Sequence, residues 1–136
     1  MVLYPKNFKK KLRKKNKKVK NLFICQGFTD AHNNLNKLVT FITKSILIKK
    51  TKIFVKVPHK NYLNKFHLKN KNIVEIDKIR DLSKFLKKID IAVTSTGNFS
   101  YELGYLQIPC IYVSDEPKEI KRGLIYQKKR LGKIIP

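Results

Sequence analysis

The stretch that most constrains the fold runs from Ile89 to Val113, IDIAVTSTGNFSYELGYLQIPCIYV. Ile91, Ala92 and Val93 form an apolar run too short for a helix, and the turn residues Thr94 to Asn98 end it. Phe99, Leu103 and Leu106 then recur at i, i+4 and i+7, which gives a short helix one apolar face. The residue before a proline is pushed out of the helical region, so Gln107-Ile108-Pro109 stops that helix. Cys110 to Val113 follows as a second buried strand. Strand, tight turn, helix and strand make one βαβ crossover, the building unit of a parallel sheet.

The same rhythm extends in both directions. Asn21 to Cys25 is a strand that ends in a turn at Gln26-Gly27-Phe28-Thr29-Asp30. Leu35, Leu38, Val39, Ile42 and Ile46 then mark an amphipathic helix with Thr29 or Asp30 as its N-cap. Ile53 to Val57 is a strand closed by Pro58, and His59 to Phe66 reads as a short helix with Tyr62, Leu63 and Phe66 inward. Asn72 to Ile76 is a further strand, and Leu82, Phe85, Leu86 and Ile89 give a helix leading into the Ile91 strand. Past Val113, Ser114 to Pro117 is a loop at a strand end, and Glu119 to Arg130 a basic helix. Five strands, each followed by a helix, predict an α/β fold with a single doubly wound parallel sheet.

Ligands of such sheets bind beyond the carboxyl ends of the strands, near the point where strand order reverses. Both glycine turns, at Gly27 and Gly97, fall at carboxyl ends. Unpaired N–H groups at a helix start favour an anion such as phosphate, and Gly97 allows close approach to the backbone. Ser95, Thr96, Asn98 and Ser100 add hydroxyl and amide groups, and Glu102 is an acceptor suited to the two hydroxyls of a ribose. Small polar residues also begin helices merely to cap them, so this spacing leaves both readings open.

Asp90 to Val93, Ser95-Thr96-Gly97-Asn98, Tyr101-Glu102-Leu103 and Ile108-Pro109 together resemble the donor-binding half of the GT-B glycosyltransferases. The resemblance is to the glycosyltransferase 28 C-terminal domain and the UDP-sugar hydrolase of the pseudaminic-acid pathway, with the pattern "aDlaIsaaGsttyELlalGvPsi". It covers about residues 20 to 136 and implies a Rossmann-like, GT-B C-terminal half. Gly97 and Glu102 fall on the positions that contact the nucleotide diphosphate and ribose in that family, and Gln107 stands where it usually has Gly. The turn at Gly27, Thr29 and Asp30 matches the family's "GGsDp", which lies across the donor phosphates. Asp81 to Asp90 is similar to its "MaeLmskAD", and Leu131 to Pro136 to its "lGaaipl". The resemblance thus implies a UDP-sugar ligand held by Gly27, Thr29, Asp30, Ser95, Thr96, Gly97, Asn98 and Glu102, with no cofactor and no metal.

At 136 residues and 42% hydrophobic content, the chain suffices for one domain with a real core. A complete GT-B enzyme has two, so the resemblance implies a chain lacking the N-terminal domain and the last family helix. Such a chain would not be catalytic alone, the catalytic residue being unknown and expected from a partner domain or subunit. The two-protein transferase of eukaryotic N-glycan assembly is one precedent. No apolar run approaches the roughly 18 residues of a membrane span, and Met1 to Pro5 lacks a signal-peptide core, so a cytoplasmic location is expected.

The formal charge of +23 is carried almost wholly by Lys, which is the poorer residue for bidentate phosphate recognition. With Asn and Ile abundant as well, biased codon usage explains it as readily as a selected partner does. Lys6 to Lys20 is a nearly continuous basic run, either a basic arm (residues 1–20) or, on the resemblance, a remnant of the interdomain linker. A weak, non-specific contact with nucleic acid or an anionic membrane is expected of it, which would place the chain at the membrane periphery. Against a dedicated nucleic-acid module, the run holds one aromatic, Phe8. A folded remnant without catalysis is the third reading. Cys25 and Cys110 sit inside predicted strands as small hydrophobes, and His32, His59 and His67 share no ligand spacing and read as surface or cap residues. Of the three, His32 follows the first glycine turn.

Overall fold

The computed structural model describes residues 18–27, 29–45 and 49–136. Eleven elements alternate along them: β1 (Asn21–Cys25), α1 (Asn34–Thr43), β2 (Lys52–Lys56), α2 (Lys65–Leu68), β3 (Ile73–Ile76), α3 (Leu82–Leu86), β4 (Ile91–Thr94), α4 (Phe99–Tyr105), β5 (Cys110–Val113), α5 (Pro117–Lys128) and β6 (Lys133–Ile135). All six strands are parallel in the order β3-β2-β1-β4-β5-β6. The order reverses between β1 and β4, which lie side by side with Cys25 opposite Thr94. The doubly wound α/β sheet expected from the alternation is therefore present.

Both faces of the sheet are apolar, as buried parallel strands require. Leu22, Ile24, Ile53, Val55, Ile73 and Val93 pack with Leu35 and Val39 of α1. Phe23, Ala92, Cys110, Tyr112 and Ile134 face the other way, against Leu86 of α3, Leu103 of α4 and Tyr126 of α5. Phe23 is the centre of that second core, with edge-on contacts to Phe85 and Phe99 at ring separations of 5.3 and 5.7 Å. Gly123 lets α5 lie close on the sheet, since a Cβ there would fall 2.5 Å from Ile134 Cδ1.

The entry to β1 is clamped at the amino end of the sheet. Asp90 Oδ2 accepts from the backbone N–H groups of Lys20 and Asn21, each at 2.9 Å, and the Asp90 N–H donates to the Asn21 carbonyl. Thr51 Oγ1 donates to the carbonyl of Val19, 3.0 Å away.

Four sequence expectations are corrected. There is a sixth strand, β6, where five were expected; at three residues beside Gly132 and a lysine it is too short to show alternation. The helix expected over 59–66 forms only at Lys65–Leu68, and Phe66, expected inward, is 79% exposed while Leu63 is buried. His67 is 3% exposed, with Nε2 2.9 Å from Thr40 Oγ1, so it ties α2 to α1 as a core residue. Finally, α5 begins at Pro117, two residues ahead of the expected start. The expected inward position Ile46 lies outside the described residues, as do residues 1–17 of the basic run and Phe28 of the first glycine turn. No helix among the described residues is long and apolar enough to cross a membrane.

Candidate functional site at the strand crossover

The loop between β1 and α1 holds three left-handed residues, Gly27 (φ 77°), Asp30 (φ 48°) and Asn33 (φ 56°), the residue types that enter this region at least cost. Asp30 is 5% exposed, and its carboxylate accepts from the N–H groups of Asn34 (2.9 Å) and Leu35 (3.1 Å), capping α1 from four residues upstream. The hydroxyl of Tyr62 lies 2.8 Å from both Asp30 Oδ2 and Asn33 Oδ1, with one proton to share between them. Burial, then Asp30, pushes the Tyr62 hydroxyl up to about 12. Thr29 is exposed.

The turn between β4 and α4 is fastened to its neighbours on both sides. The Ser95 N–H donates to the Cys25 carbonyl at 3.3 Å, joining the two glycine turns. Thr96 is fully buried; its hydroxyl donates to the Glu119 carbonyl (2.9 Å), and its own carbonyl accepts from Arg122 Nη1 (2.8 Å). Ser100 Oγ donates to the Gly97 carbonyl at 2.6 Å. Gly97 does not have a positive φ, and a Cβ there would meet only Ser95 Oγ, at 3.6 Å. Asn98 is exposed and makes no side-chain cap. Glu102 is half-buried with Oε2 shielded and without a hydrogen-bond partner among the described residues; burial raises its carboxyl above the usual range.

A cavity of about 180 Å³ opens at these carboxyl ends. Gly27, Thr29, Asp30 and Ser95 line it, so the two turns do converge; Thr96, Gly97, Asn98 and Glu102 lie beyond its lining. Its far wall comes from Ser114, Asp115 and Glu116 of the loop after β5 and Glu119 in the first turn of α5. Ser114 Oγ donates to Glu119 Oε2 (2.7 Å) and accepts from the Glu116 N–H, which holds the Glu119 carboxylate and the Glu116 backbone. His32 also lines it, with Nδ1 3.7 Å from Asp115 Oδ1 across the mouth. Sequence reading placed the 114–117 loop at a strand end without joining it to the site; the strand-end rule that selected Gly27 and Gly97 applies to it equally. Four carboxylates and no Lys or Arg line a cavity in a chain of charge +23, so the wall is built to accept hydrogen bonds from hydroxyl or amine donors.

Among the described residues no group of three or more His, Cys, Asp or Glu is arranged to hold a metal ion. Cys25 and Cys110 are buried in β1 and β5 as expected, and burial pushes their thiols up to about 11 and about 12. Neither is a thiolate at neutral pH.

The described fold is a Rossmann-like α/β domain built on a single parallel six-stranded sheet. Among solved structures, the chain is similar to the glycotransferase of kitacinnamycin, with a TM-score of 0.66 at 11% identity. The match covers 98% of this chain and 34% of that one, so the chain spans about a third of that structure's length. No family model matches the chain, and no curated protein does.

Proposed function

We propose that this chain is the UDP-sugar-binding half of a GT-B type transferase or hydrolase, completed by a partner domain or subunit. The observation that carries the proposal is the meeting of the first glycine turn with Ser95, which opens the second, in one cavity at the β1–β4 reversal point, where sheets of this order take their ligands. In this reading the diphosphate lies over the Gly97 turn, and Glu102 receives the ribose hydroxyls. The sugar enters the cavity, where Glu116 and Glu119 accept from its hydroxyls. Gly27, Thr29, Asp30, Ser95, Thr96 and Asn98 frame the ligand through their backbone and short side chains. The likeness of fold to a glycosyltransferase supports this reading.

Thermal melts with UDP, ADP and GDP test it. UDP at about 100 times its Kd should add roughly 2.7 kcal/mol to stability. An unchanged midpoint with all three at millimolar concentration would refute the proposal. Calorimetric titration then assigns the residues. Glu102→Ala should weaken UDP more than dTDP, because deoxyribose offers one hydroxyl fewer, and a charge-assisted bond is worth roughly 1.5–3 kcal/mol. Gly97→Ala should weaken both equally and leave the melt of the free chain unchanged, since the fold has room for that methyl group. Equal losses of UDP and dTDP in Glu102→Ala would make Glu102 a structural residue.

A further inference from the structure

Among the described residues, half of one sheet face carries no helix. Of the described helices, α1 packs on the face formed by Leu22, Ile24, Ile53 and Val55, whereas α3, α4 and α5 pack on the opposite face. On the first face, beyond α1, Ile91 and Val93 of β4 and Ile111 and Val113 of β5 form an apolar strip. Strand alternation adds Ile135 of β6, opposite Val113 and 48% exposed, to the same side. Two hollows share Phe41 of α1 on their walls. One, of about 1060 Å³, runs over Ile91, Val93 and Ile111, and the other, of about 300 Å³, continues past Val113 to Ser114 and Asp115. Together they form a trough along α1 from the amino to the carboxyl end of the strands, and Phe41, 78% exposed, stands over it.

We propose that this trough is the docking site for an apolar helix of a partner protein, flanked along its edges by acidic residues. Shape selects a helix: in a doubly wound sheet, the place beside α1 over two strands is a helix position, and the floor is already half-buried at Ile91, Ile111 and Val113. Charge selects the partner. The rim is Lys18, Lys44, Lys49 and Lys50, with Lys37 at the far end. A second copy of this chain would bring the same lysines to the contact. Residues 1–17 carry eight basic residues and no acidic one, so they suit the rim no better. An acidic-edged helix satisfies both the floor and the rim, and its end would arrive beside Asn34, Ser114 and Asp115, which also line the cavity at the strand crossover. The inference does not depend on the identity of the nucleotide.

The test uses the full chain and an 18-residue synthetic helix with a Leu/Ile stripe flanked by Glu, its twin flanked by Lys, and phosphatidylglycerol vesicles. Fluorescence anisotropy should show saturable binding of the Glu peptide alone, weakened at least tenfold by Phe41→Glu or by Lys49→Glu with Lys50→Glu. These exposed changes leave the fold intact, which an unaltered melt verifies. With a photoreactive benzoylphenylalanine in place of Phe41, the cross-linked product should contain the peptide. Cross-links to residues 1–17 or to a second copy in its presence would overturn the proposal. So would equal binding of the Lys peptide, no binding of the Glu peptide, indifference to Phe41→Glu, or Phe41-dependent capture by the vesicles in its place.

Discussion

Replacing Asp30 separates the architecture of the first glycine loop from its chemistry. Its carboxylate receives two backbone N–H groups at the start of α1 and shares the proton of Tyr62. Asp30→Ala removes the cap, worth about 1 kcal/mol, in a buried setting where the N–H groups find no water. It also places alanine at φ 48°, where the left-handed conformation costs an ordinary residue roughly 1–2 kcal/mol. Tyr62 keeps Asn33 as a partner, so no further orphan is created. The sum is about 2–3 kcal/mol, and with a urea slope of roughly 1–3 kcal/mol per molar the unfolding midpoint should fall by about 1–3 M. Asp30→Asn retains one acceptor and tolerates the left-handed region, so it should cost about 1 kcal/mol. Because both carboxylate oxygens are already engaged within the fold, Asp30→Asn should also change UDP affinity less than Gly97→Ala does. A cost below about 0.5 kcal/mol for Asp30→Ala, or equal costs for Ala and Asn, would refute the capping role.

Two further outcomes follow from the same physics. Gln107, at φ 56°, occupies the left-handed position of a Schellman end to α4, with Ile108 N–H on the Leu103 carbonyl and Gln107 N–H on that of Gly104; Gln107→Gly should stabilise the chain by about 1 kcal/mol in the same urea titration. The Glu102 carboxyl, raised by burial, binds its proton more tightly folded than unfolded, so ionising it costs stability as pH rises above its ordinary value of 4.5; Glu102→Gln should melt higher than the parent at pH 7, with the gap closing below about pH 4.5.

The parallel sheet was legible because β1, β2, β4 and β5 carry apolar runs bounded by Gly, Pro and small polar residues, signals that depend only on neighbours in the chain. The end of α4 was legible from Pro109, but the left-handed backbone that Gln107 adopts there was not, since nothing in its side chain calls for it. What escaped depended on distant contacts. His67 is buried because Thr40, 27 residues earlier, receives its ring, and no local pattern records that. The acidic wall of the cavity is likewise set by how the loop after β5 folds beside the loop after β1, two segments some eighty residues apart by number. Asp30 was legible as a conspicuous residue, but whether its oxygens face outward or cap α1 is decided by three-dimensional placement alone.

The clamp that Asp90 places on Lys20 and Asn21 gives the domain two poles. The basic run joins the folded body at the amino end of β1, and the cavity opens at its carboxyl end, five residues and about 16 Å away along the strand. A polyanion held at Lys18 and Lys20 would sit at the pole opposite the cavity mouth, leaving that mouth pointed outward toward whatever diffuses past. Anchorage and ligand exchange would then not compete for the same surface, and salt could loosen the first without altering the second.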